Sequence, residues 1–173
     1  MLKIFSIAFA GVISFYTVSI YSIEVNKIGG GKIAFSNFEG KKILLVNIAT
    51  GSEEAGQLQE LEQFYQAHKD SIVVVGFPSN NFQHEPNTDA QLKTALDNTY
   101  HITFPIAAIS DVKGANANSL YQWLATKQNN GVLNAQIKGD YQKYLVNSSG
   151  RIIGVFMSSV HVTSQEFLDA ISY

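Results

Sequence analysis

The chain has 173 residues, 46% hydrophobic and 15% charged, with no cysteine and a formal net charge of −2. That length and composition suit one globular domain with an ample core. Twelve Lys and Arg against 14 Asp and Glu leave no basic face for a nucleic acid, and the missing cysteines exclude disulfides, thiolate metal sites and thiol catalysis.

Lys3 precedes an apolar run from Ile4 to Tyr16, and small residues follow at Thr17 and Ser19. A lone positive charge, an apolar stretch and small residues form the layout of a secretory signal peptide, here cleaved near Ile20. Residues 1–19 are therefore assigned to export, to the periplasm or the medium, with 20–173 as the domain. Losing Lys3 takes the charge from −2 to −3. The alternative is a membrane anchor through residues 4–16, which is short of the ~20 residues that a spanning helix wants.

Two short alternating runs, Ser22 to Val25 and Lys32 to Phe35, flank Gly29-Gly30-Gly31 and predict a β-hairpin. No Lys-Ser/Thr follows the glycines and no helix begins there, so they are a turn and not a phosphate loop. Lys42 to Ile48 is apolar except for Lys42 and Asn47, and reads as a strand buried on both faces. The spacing of Leu58, Leu61 and Phe64 predicts a helix from about Glu53 to His68, and Ile72 to Phe77 a second buried strand. Together they make a parallel β-α-β unit whose turn, Ala49 to Glu54, lies at the carboxyl edge of the sheet, where open α/β sheets keep their chemistry.

Thr88-Asp89-Ala90-Gln91 is a capping box that opens a helix with Leu92, Ala95 and Leu96 on its inner face. Phe104 to Ile109 is extended, and Leu120, Trp123 and Leu124 place a third helix. A last hairpin runs from Tyr144 through Asn147 to Gly150 into Ile152 to Phe156, and a terminal helix carries Phe167, Leu168 and Ile171. This order predicts an α/β, thioredoxin-like three-layer sandwich with an N-terminal β-hairpin and an insertion around 106–140.

Six ordered blocks resemble the glutathione peroxidase family. They are Gly40 to Thr50, Gly76 to Pro86, Ile102 to Pro105, Asp111 to Ala117, Leu120 to Leu124 and Lys143 to Val146, and the similarity spans about residues 20–172. The resemblance implies hydroperoxide reduction by a cysteine or selenocysteine at the turn into the first long helix, and that position holds Ser52. It further implies a glutamine, a tryptophan and an asparagine around the nucleophile. Those positions hold Asn81, Gly139 and Asp140, and the loop with Asn81 is one residue short. The place where thiol-type members often carry a second, resolving cysteine falls near Leu96, a core residue.

A serine hydroxyl neither ionises at neutral pH nor passes through a sulfenate. Glu53 and Glu54 add negative charge where a thiolate would want positive. A serine cap followed by acidic residues is equally what a plain helix start prefers. Ser52, His84 and Asp140 are also the components of a hydrolytic triad, on loops that the fold brings to one end of the sheet. The same His84 and Asp140 with Glu53 or Glu54 offer metal-ligand types without ligand spacing. No role is assigned to His68, His101 or His161. Neither a cofactor nor a resident metal is expected.

Three readings stay open. The chain is an exported pseudoenzyme of the peroxidase fold that binds a protein or small molecule in the old cleft, or it keeps residual peroxidase activity in an oxidative-stress response. The third reading is a hydrolase or metal protein built on Ser52, His84 and Asp140. The short span from Ala125 to Lys138 points to a monomer or weak dimer, since the resemblance links tetramers to a longer insertion.

Overall fold

The computed structural model describes residues 17–172, so the apolar stretch 4–16 lies outside the described residues. Four strands form the central sheet in the order β4-β3-β5-β6. β3 (Lys42–Ile48) runs parallel to β4 (Ile72–Pro78), with Lys42 opposite Ile72 and Ile48 opposite Pro78. It pairs antiparallel with β5 (Lys143–Val146), which pairs antiparallel with β6 (Ile152–Phe156). The parallel neighbours follow from the crossover helix between them, α1 (Gln57–His68).

The pleat divides the core. Leu44, Val46, Ile48 and Val74 face Leu58, Leu61 and Phe64 of α1, Leu92 and Leu96 of α2 (Asp89–Asn98), and Phe167 of α5 (Gln165–Ser172). Ile43, Leu45, Val73, Val75 and Phe77 face Tyr121, Trp123 and Leu124 of α3 (Ser119–Ala125), with Val25 and Ile33 of the N-terminal hairpin. Helices therefore cover both faces of the sheet, as the three-layer reading expects. Leu96 is buried in the first of these cores.

Local chemistry sets the element ends. Thr88 and Gln91 make both bonds of the capping box at the start of α2. Asn118 caps α3 by accepting from the N–H groups of Leu120 and Tyr121, and a single further turn, α4 (Lys127–Asn130), ends on Gly131 at φ +75°. Of the segment Phe104 to Ile109, Ile106 and Ala107 are bridge residues between bends at Phe104 and Ile109, Ile106 pairing with Gly76 at the sheet and Ala107 with Lys27. Gly76 fits closely there, since an added Cβ would lie 2.6 Å from Ile106 Cδ1 and force that side chain to shift.

The hairpin and the first long helix are shorter than the sequence pattern suggests. β1 is Glu24–Asn26 and β2 is Lys32–Ala34. Ser19 caps a 3-10 turn over Ile20–Ser22, and Phe35 opens another over Phe35–Phe38, so neither Ser22 nor Phe35 is strand. Residues Glu53–Gly56 form a 3-10 turn before α1 begins at Gln57. None of the described helices is long and apolar enough to cross a membrane.

Candidate functional site

The carboxyl ends of β3 and β4 carry two loops, residues 49–52 and 79–88, that are sewn together. Gly51 N–H donates to the His84 carbonyl at 2.8 Å. Glu85, 2% exposed, accepts from Thr50 N–H at 2.9 Å and from the Thr50 hydroxyl at 3.0 Å. It also accepts from Asn87 N–H at 3.2 Å and from Asn87 Nδ2 at 3.0 Å. Four donors on one buried carboxylate fix the turn that presents Ser52.

Ser52 sits at the helix start in an extended conformation, φ −74° and ψ 149°, and its Oγ accepts from Glu54 N–H at 3.3 Å. Its hydroxyl donates to the Glu54 carboxylate. That donation, with the charges of His84 and Lys143, holds the Glu54 carboxyl below the usual carboxylate range despite its partial burial. Ser52 and Glu54 thus close on each other, the cap arrangement that serine and a following acid favour.

On the facing turn, His84 Nδ1 meets Asp140 Oδ2 at 2.7 Å, with the imidazole half-exposed and the carboxylate 3% exposed. Burial pushes the Asp140 carboxyl up, against the pull of His84. Asp140 Oδ1 is buried and has no hydrogen-bond partner. Tyr141 follows at φ +58°, held there by its N–H to Asn47 O at 2.7 Å and its hydroxyl to Ala49 O at 3.1 Å. Asn47, the polar break in β3, uses its Nδ2 to bond Gly139 O at 2.6 Å. It anchors the 139–141 turn.

The Asn81 side chain bonds the 111–113 loop and not Ser52. Its Oδ1 accepts from Val112 N–H at 2.7 Å, Lys113 N–H at 3.2 Å and the Ser79 hydroxyl at 3.1 Å, while Nδ2 donates to Asp111 Oδ1 at 2.7 Å. The amide oxygen and one N–H staple the 79–82 loop to the 111–113 loop, and Gly139 has no side chain to offer.

The structure therefore joins two components of the sequence-level triad and leaves out the third, because the Ser52 hydroxyl bonds Glu54 and not His84. His84 is a paired histidine and not merely a solvated one. Among the described residues, no group of three or more His, Asp or Glu side chains is placed to hold a metal ion. His161, given no role, bonds Glu60 through Nδ1 at 2.8 Å and ties the loop before α5 to α1.

Two neighbours have no counterpart in the sequence reading. Lys143 is fully buried in β5, and its Nζ donates to Gln57 Oε1 at 2.7 Å and to Tyr141 O at 3.0 Å. Burial pulls its ammonium down to about 8, against the opposite pull of Glu60 and Glu54. Gln57, 4% exposed, reaches on to Ser158 O at 2.9 Å. A lysine opening an otherwise apolar strand was the available signal for this pair. Glu85 carried none.

Residues 20–125 match the family model described as glutathione peroxidase. The chain belongs to the glutathione peroxidase family. It is 37% identical over 145 residues to the glutathione peroxidase-like peroxiredoxin 2 of Saccharomyces cerevisiae, covering 82% of this chain and 89% of the yeast protein. It is 32% identical over 140 residues to the glutathione peroxidase homolog BsaA of Bacillus subtilis, covering 79% of this chain and 87% of that one. Among solved structures, Trgpx in its apo form aligns with a TM-score of 0.67 at 28% identity, over 91% of this chain and 98% of its own. Family and thioredoxin-like fold agree with the resemblance carried by the six sequence blocks.

Proposed function

We propose that this chain is an exported member of the glutathione peroxidase family that has lost hydroperoxide reduction and acts by binding a protein or small molecule. The observation that carries the reading is the complete absence of cysteine in a family whose chemistry needs a thiolate or selenolate. The surroundings of Ser52, at the position that the resemblance gives to the nucleophile, support it. The hydroxyl donates to the Glu54 carboxylate, Asn81 is committed elsewhere and Gly139 is bare. The site holds three carboxylates, Glu54, Glu85 and Asp140, where a peroxidatic thiolate would need hydrogen-bond donors.

A second reading, residual peroxidase activity, has the names of the relatives in its favour, since both sequence relatives above are named for peroxidases or peroxiredoxins. Hydroperoxide consumption in the presence of thioredoxin or of glutathione separates the two. The proposal expects none above the protein-free rate. The apolar segment after Lys3 supports export, and recovery of the full-length chain from the cytosol would contradict it. The short span before the Gly139 turn supports a monomer or weak dimer.

A further inference from the structure

The residues just after the apolar leader are built into the domain. Val18 N–H donates to Asn129 O at 2.8 Å, and the buried Trp123 indole Nε1 donates to Val18 O at 2.7 Å. The Val18 side chain is 47% exposed, so it is the backbone that anchors the segment. Ser19 caps the next turn, its Oγ accepting from Tyr21 N–H at 3.3 Å and its carbonyl from the Ser22 hydroxyl at 2.7 Å. Thr17 lies so close to Gly131 that a Cβ there would come within 2.9 Å of Thr17 Cγ2. Tyr21 continues the strap, its hydroxyl donating to Ser148 O at 2.9 Å in the β5-β6 turn.

Small residues at Thr17 and Ser19 make the Ser19–Ile20 bond attractive to a signal peptidase on sequence grounds. We propose that the leader is instead cut upstream of Thr17, and that Thr17–Ser19 stay with the mature domain as a strap over α3 and α4. The existence of a cut rests on the export reading, whereas the strap does not. Cleavage at Ser19–Ile20 would leave the Trp123 indole N–H buried without an acceptor and strip the cap from the turn over residues 20–22. It would also create an α-ammonium on Ile20, a residue 0% exposed. Ser14 is the first small residue upstream of Thr17 and gives the preferred cut.

The test is to express the full chain with its own N-terminus in a secreting bacterial host and determine the mass and N-terminal sequence of the exported protein. The expected N-terminus is Phe15, or any residue up to Thr17. A chain beginning at Val18 or later overturns the proposal. Full-length chain confined to the cytosol overturns the export reading, and the cut with it. The strap is then judged by Val18→Pro against Val18→Ala in the full chain. Proline removes the N–H that bonds Asn129 O and should melt about 2–4 °C below the alanine variant, which keeps both backbone bonds. Equal melting temperatures would overturn the strap.

Discussion

Ser52→Cys would place a thiol at the position that we propose for the lost nucleophile, and its surroundings would do little to activate it. The Ser52 hydroxyl donates to Glu54. A thiolate cannot donate, so Ser52→Cys sets two negative charges against each other. Unit charges about 4 Å apart interact by ~1 kcal/mol in water and ~4 kcal/mol at an effective dielectric of 20. Glu54 is only partly buried, so a value of about 1–2 kcal/mol is appropriate, raising the thiol pKa by roughly one unit. The helix start offers at most ~0.3–1 kcal/mol the other way. Repulsion outweighs the helix start, and the Glu54 charge taken alone lowers the reactive fraction at neutral pH about tenfold. The donors that would hold the thiolate and the leaving oxygen are also missing, with Asn81 bound to the 111–113 loop and Gly139 bare. Losing one such donor commonly costs about 10²–10³ in rate. Ser52→Cys should therefore reduce hydrogen peroxide at least ~10³-fold more slowly than an ordinary thiol peroxidase in a thioredoxin-coupled assay. Adding Glu54→Gln should recover only about tenfold. Activity of the single variant within tenfold of an ordinary enzyme would refute the reasoning and leave the serine as the sole lesion.

Other perturbations test the scaffold under the site. Glu85→Ala strands the N–H groups of Thr50 and Asn87 and should cost about 2–5 kcal/mol in chemical denaturation, with Glu85→Gln milder. Gly51→Ala puts a Cβ 2.7 Å from the His84 carbonyl and should destabilise by about 1–3 kcal/mol, so unchanged stability would mean that the 84–87 loop yields freely. Lys143 has its folded pKa lowered to about 8 from 10.5, so the unfolded chain binds more protons between those values and stability rises with pH there. Wild type should gain about 2 kcal/mol on Lys143→Met between pH 8 and 10, and parallel stability profiles would contradict the burial of the charge.

Legibility of the fold and of the site in the sequence differed for physical reasons. The Lys42–Ile48 and Ile72–Pro78 strands were readable because burial on both faces demands nearly continuous apolar runs, broken in the first only at Lys42 and Asn47, and the α2 start because the Thr88–Gln91 box is a contact between near neighbours. The 3-10 turn over Glu53–Gly56 was not, since serine cap and acidic first turn favour either kind of helix start. At the site, residue types were visible but partners were not. His84 and Asp140 stand 56 positions apart and do meet, while Ser52 prefers a carboxylate two residues away. Glu85 finds its donors mainly in backbone N–H groups and small polar side chains, which leave no trace in a residue pattern.

Loss of hydroperoxide turnover is what we propose for this member of the glutathione peroxidase family. The most direct measurement is steady-state consumption of hydrogen peroxide and of an organic hydroperoxide by the wild-type chain, with thioredoxin and with glutathione each coupled to NADPH oxidation. The predicted rate is indistinguishable from the protein-free control with either reductant. Saturable consumption that scales with protein concentration would contradict the account.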